Sequence, residues 1–211
     1  LIQGIIRALF KEPDMTPRTA AIYIFDGVEP LDCVGPFEAF ISAESSDGEA
    51  LFETGMVGQT MAPVSGVGGL VITPRWSFDT MPKVDLLLIP GGAGTRPLAK
   101  RPEIADWIRQ QNDKVEMMLS VCAGAHLLAA AGLLKNLKAT THWNTYDWLR
   151  SIEPTVDIQE GARWADNGRI ICSSGVSAGI DMTLHIIERL HGEELAARAA
   201  RFMEYEYWPL T

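Results

Sequence analysis

The sequence predicts an α/β fold: a mostly parallel sheet with helices on both faces and a nucleophile elbow. Three observations carry this. Short apolar runs alternate with helix-like segments along nearly the whole chain, the order that puts parallel strands inside and crossover helices outside. The run 115–119 is short and apolar, as a strand covered on both faces should be. It passes at once into the Ala- and Leu-rich stretch 123–131, with Cys122 at the junction.

The elements follow in order. Residues 20–25 (Ala-Ala-Ile-Tyr-Ile-Phe) form a first strand that Asp26-Gly27 ends, 28–36 read as a loop, and 37–44 as a helix. A second strand spans 51–57, and the Gly-rich stretch 61–73 suggests a small hairpin. Residues 84–89 are a buried strand ending in Pro90-Gly91-Gly92, and 97–111 form a helix with Leu98, Ile104, Trp107 and Ile108 as its apolar face. After the elbow come a strand-like piece at 139–143, a helix at 146–152 and short strands at 156–158 and 162–165. Asp166-Asn167-Gly168 is a turn signal before a strand at 169–172. Helices are expected from Ser177 to about 190 and from Glu193 to about 205.

A chain of 211 residues, 47% apolar, with neither repeat nor long linker reads as one domain over 20–211, behind an N-terminal extension, 1–19. Within that extension Ile2, Ile5, Ile6, Leu9 and Phe10 outline a weak amphipathic helix or a dimer-packing arm, and Met15 is an alternative start. The net charge of −9 argues against nucleic acid as a partner. No apolar run nears membrane-spanning length, so no membrane partner is expected. Cys33, Cys122 and Cys172 are odd in number and far apart, which implies no disulfide framework and a reducing, cytoplasmic setting.

Ligands of parallel α/β sheets bind beyond the carboxyl ends of the strands. The loops after Phe25, Ile89 and Leu119 fall there. Ser120 and Gly124 flank Cys122 at two residues on either side, as a sharp strand-to-helix turn requires. Unpaired N–H groups at a helix start favour a thiolate there. The alternative is an inert buried cysteine. Gly91 and Gly92 let backbone N–H groups approach an anion and, with the Ala123 amide, form an oxyanion site; the alternative is an ordinary turn. Asp32, among Leu31, Cys33 and Val34, is expected to have a raised pKa and to serve as a general acid; its alternative is a helix N-cap near Gly35. His142 follows the elbow helix and is a candidate partner for the thiol, though a structural role is the commoner one. His126 reads as core, and no Cys/His/carboxylate spacing suits a metal.

Together, Phe25-Asp26-Gly27-Val28, Leu31-Asp32-Cys33-Val34-Gly35-Pro36, Ile89-Pro90-Gly91-Gly92, Ser120-Val121-Cys122-Ala123-Gly124, Ala139-Thr140-Thr141-His142-Trp143 and Gly175-Val176-Ser177-Ala178-Gly179-Ile180-Asp181 resemble the ThiJ/PfpI superfamily, in order from about residue 20 to 207. The resemblance implies a flavodoxin-like fold of the glutamine amidotransferase-like class. Within the superfamily the pattern resembles isonitrile hydratases and the ligand domains of AraC-type regulators. The end of the chain at Thr211 leaves no room for a DNA-binding domain, so the enzyme is the expectation.

The hydratase resemblance implies a reaction without cofactor, in which Cys122 attacks a small-molecule electrophile and Asp32 supplies a proton. Amides near Gly92 and Ala123 would stabilise developing charge. A homodimer is also implied. One departure stands out: the hydratase motif has threonine after the cysteine, and this chain has Ala123. Glyoxalase- or deglycase-like chemistry on aldehydes and a non-catalytic sensor domain are the alternatives.

Overall fold

The computed structural model describes residues 16–206. In chain order the strands are β1 (Arg18–Tyr23), β2 (Phe52–Gly58), β3 (Val64–Ser65), β4 (Val71–Ile72), β5 (Trp76–Ser77), β6 (Leu86–Ile89), β7 (Met117–Val121), β8 (Lys138–Ala139), β9 (Asp157–Ile158), β10 (Trp164–Asp166) and β11 (Ile170–Ser173). The α-helices are α1 (Pro30–Ile41), α2 (Thr95–Leu98), α3 (Pro102–Asn112), α4 (Gly124–Ala130), α5 (Tyr146–Ile152), α6 (Ala178–His191) and α7 (Glu193–Phe202).

Seven strands make the main sheet, in the order β10-β11-β7-β6-β1-β2-β5. Every neighbouring pair is parallel except the β10–β11 hairpin. Its centre is the apolar core: Ile22, Tyr23, Leu86 to Ile89, Met118 and Leu119 are fully buried. Their continuous apolar runs suit strands covered on both faces. The fold expected from sequence is the one observed. Among the described residues no helix is long and apolar enough to cross a membrane. The expected helix over 1–14 lies outside the described residues.

The structure departs from the sequence expectations at prolines. Residues 28–36 are not a loop: α1 starts at Pro30 and runs through Pro36. Proline costs nothing at the first helical position, where its missing N–H has no partner to lose. Pro36 forfeits one interior bond, but it packs beside Gly179 while Gly35 meets Ile180, both on α6. Tertiary contact wins over the local breaker. The helix expected over 97–111 divides into α2 and α3, because Arg101, preceding Pro102, is extended (φ −101°, ψ 107°). Only Lys138–Ala139 of the expected piece at 139–143 is strand, paired with β9; His142 then caps a 3-10 turn. The two-residue edge strand β5 is too short to leave a period in the sequence.

Candidate active site

The bend after β7 sets the site. Cys122 sits at φ +56°, the left-handed region that a non-glycine residue adopts only at a cost of roughly 1–2 kcal/mol. Both of its backbone groups are tied down. Its N–H donates to the Ser173 carbonyl at 3.1 Å, and its carbonyl accepts the Thr141 hydroxyl at 2.7 Å. The small flank at Gly124 is compulsory, since a Cβ there would lie 1.9 Å from the Ile89 carbonyl oxygen. Gly175 is as constrained: its Cβ would lie 2.7 Å from both Cys122 Sγ and His142 Cδ2. Gly175→Ala should therefore displace the sulfur and slow Cys122 chemistry on the order of 10²-fold. The rate of Cys122 alkylation, followed by peptide mass spectrometry, measures this; an unchanged rate would refute the close packing.

Asp32 reaches the same point from the first turn of α1. It is fully buried, and Glu29, not Asp32, takes the N-cap position. Its Oδ2 accepts the Gly91 N–H at 3.0 Å. Oδ1 is buried with no aligned hydrogen-bond donor; the Cys122 thiol is a neighbour of the carboxyl group. Burial raises the Asp32 carboxyl to about 7, against the opposing pull of Cys122 and the Gly91 N–H. Burial and then the Asp32 charge push the Cys122 thiol upward, opposed by the Ala123 N–H.

The lowered thiol pKa expected at a helix start is thus corrected: desolvation of the sulfur outweighs the amides of a seven-residue helix. The two groups titrate as one unit. Above about pH 7 the unit holds one proton, kept on the sulfur, because two negative charges in this buried spot repel strongly.

The bend opens on a cavity of about 280 Å³ lined by Cys122, Ala123, Gly92, His142, Arg96 and Trp148, among others. His142 is half-buried there; its Nδ1 and Asn144 Oδ1 are 2.6 Å apart. The same Nδ1 lies 3.4 Å from the Asn144 N–H. Gly92 and Ala123 reach the cavity, whereas the Gly91 N–H is engaged in holding Asp32. His126 lies beneath, both ring nitrogens on carbonyls, of Ala123 at 2.9 Å and Thr145 at 3.2 Å. Burial lowers its pKa, and it serves as packing. Cys33 and Cys172 are buried and free. No group of three or more His, Cys, Asp or Glu among the described residues is placed to hold a metal ion. A larger cavity, about 370 Å³, lies elsewhere, around Phe25, Gln59 and Arg101; no cysteine lines it.

Comparison with known proteins now adds to the geometry. The pattern of the DJ-1/PfpI family matches residues 18–189. The chain belongs to the DJ-1/PfpI family. Isonitrile hydratase of Pseudomonas putida is 31% identical over 182 residues, 86% of this chain and 76% of that protein. The HTH-type transcriptional regulator GbdR of Pseudomonas aeruginosa is 28% identical over 190 residues, 90% of this chain; the chain spans only 51% of that regulator. Among solved structures, a ThiJ/PfpI family protein from Pseudomonas syringae superposes with TM-score 0.82 at 30% identity, over 97% of this chain and 81% of that one.

Of this DJ-1/PfpI site, sequence reasoning named Cys122, Asp32, Gly91, Gly92, Ala123 and His142. It missed Thr141, which ties the strained carbonyl, and Gly175, which faces the sulfur. Both stood inside quoted motifs without a role. It also missed Glu29, Arg96 and Trp148 on the cavity wall; nothing in their local sequence marks them.

Proposed function

We propose that this protein is a cysteine-dependent hydro-lyase that adds water to an isonitrile to give an N-substituted formamide. The observation that carries the reading is the strained Cys122 beside the raised, half-satisfied Asp32 at a cavity. Similarity to the Pseudomonas putida isonitrile hydratase supports it.

In this scheme the proton held on the Cys122 sulfur passes to Asp32 as the substrate is bound, leaving the sulfur as thiolate. The sulfur bonds to the terminal isonitrile carbon, and that carbon takes the Asp32 proton, giving a thioimidate. Water then attacks the same carbon and returns a proton to Asp32. The nitrogen gains the hydroxyl proton, the C–S bond breaks, and the formamide leaves with thiolate restored. Gly91 keeps Asp32 aimed, and the Ala123 N–H favours negative sulfur. Ala123 has no hydroxyl to orient the water, and His142, on the cavity wall, takes that part.

Formation of formyl protons from an aryl isonitrile, read by NMR, tests the reading. Binding without turnover would instead support a ligand-sensing domain, which the similarity to GbdR favours. Loss of methylglyoxal without isonitrile turnover would replace the hydratase by aldehyde chemistry.

The reading takes a second copy of the chain as partner. Leu31, Val34 and Ile41 are exposed along α1, and the hairpin beside its start exposes Val67, Leu70 and Val71. Exposed apolar side chains on these neighbouring segments suit an isologous contact. Val34→Glu should convert dimer to monomer in sedimentation velocity, and a dimer indifferent to the substitution would exclude this face.

A further inference from the structure

We propose that the cavity selects an electrophile carrying an anionic group, held by Arg96, at the end remote from the reacting carbon; this rests on the reading of Cys122 as nucleophile. Arg96 lies over the Trp148 ring, 4.7 Å from its centroid. The His126 ring stacks on Trp148 at 3.8 Å and 20°. His126 is itself pinned by the carbonyls of Ala123 and Thr145. The indole is thereby fixed from below the bend, and the guanidinium is oriented by a ring rather than by a carboxylate.

Among the described residues Arg169, Arg198 and Arg201 also lack an acidic partner, but none of these lies over an aromatic ring, and Arg75, which lies over Trp76, pairs with Glu53. Arg101, Arg109 and Arg150 each meet an acidic side chain. Among the described residues none pairs with Arg96, although the protein carries a net charge of −9. A guanidinium stacked on an aromatic face keeps its N–H edge free, and that edge matches a carboxylate or phosphate. Arg96 and Trp148 both line the Cys122 cavity.

The opposite charge fixes which way a ligand enters. Glu29 lines the same cavity, and its charge is felt at both Asp32 and Cys122. An anion beside the sulfur would meet Glu29 and Asp32. The uncharged electrophilic carbon therefore faces Cys122, an apolar spacer lies along Trp148, and the anion meets Arg96. The substrate class is an ω-anionic alkyl electrophile; within the hydratase reading, an isocyano-carboxylate.

Two assays on the full chain test this. In the first, N-(carboxyalkyl)maleimides with one to five methylenes are compared with neutral N-alkylmaleimides of equal length. In each, Cys122 sulfur bonds to an alkene carbon and the neighbouring carbon takes a proton, with no turnover required. The acid-to-neutral rate ratio should peak at one spacer length, and Arg96→Gln should lower that peak roughly ten-fold. Arg96→Lys should restore part of it. A ratio that Arg96→Gln leaves alone, whether the individual rates stay put or fall equally for acid and neutral probes, overturns the proposal.

In the second assay, ω-isocyanoalkanoates are compared with their methyl esters, and Arg96→Gln should raise KM for the acids more than for the esters. An Arg96-dependent maleimide ratio with no isonitrile turnover would sink the hydratase reading and keep the anion site. Turnover with no Arg96-dependent ratio would do the reverse.

Discussion

Cys122→Ala is expected to abolish isonitrile turnover, by about 10³-fold or more, while leaving the fold intact. Removing a covalent nucleophile typically costs this much or more, because binding and dipoles alone give little of the rate. The prediction is sharp here because the other cysteines cannot substitute. Cys33 is fully buried in α1, with its sulfur directed at the Pro30 carbonyl 3.1 Å away, and burial raises its thiol to about 12. Cys172 is buried in β11 and raised to about 11 by desolvation. Only Cys122 borders the cavity. Alanine keeps the β-carbon, so the packing against Gly175 and Gly91 persists. Formamide production read by NMR, with thermal melting as the folding control, decides the matter. A folded variant that retains a tenth of wild-type turnover would remove Cys122 from the chemistry.

Much of this site was legible because its chemistry depends on local covalent geometry. A cysteine between a buried strand and an Ala-rich helix, with small residues two positions away, specifies a tight bend almost by itself. The crossover order of strands and helices likewise follows from patterns of short range. What sequence missed depends on contacts between distant segments. Gly175 matters because the loop after β11 presses on the sulfur from 53 positions along the chain, and no local pattern reports that. Arg96 and Trp148 meet only once α2 and α5 are folded against α4. The proline-bearing helix α1 was misread for the same reason: α6 supplies the packing that outweighs the break. The thiol's raised pKa is a third instance, since desolvation is a property of the closed fold and not of the helix start.

Asp32→Asn is expected to lower turnover roughly 10²- to 10⁴-fold and at the same time to stabilise the protein at pH 7.5. The amide is nearly isosteric: its oxygen keeps the Gly91 N–H, and its nitrogen takes the place of Oδ1. It has no proton to deliver to carbon. The stability change follows from the sign of the shift. The carboxyl has a pKa of about 7 when folded and about 3.9 when unfolded. Between those values the unfolded chain releases its proton first, so wild-type stability declines as pH rises from about 4 to about 7. The asparagine form escapes that decline. Its melting temperature should exceed wild type above pH 7, by the equivalent of a few kcal/mol, with the gap closing toward pH 4. Reactivity should change in parallel. In wild type, Cys122 alkylation rises as the pair loses its first proton near pH 7 and then levels off, because one proton remains in the pair. In Asp32→Asn that inflection disappears and a single thiol titration replaces it. A melting gap that is constant from pH 4.5 to 7.5, together with an unmoved inflection, would show that the acid and the sulfur titrate independently, and the proton-sharing mechanism would fail with it.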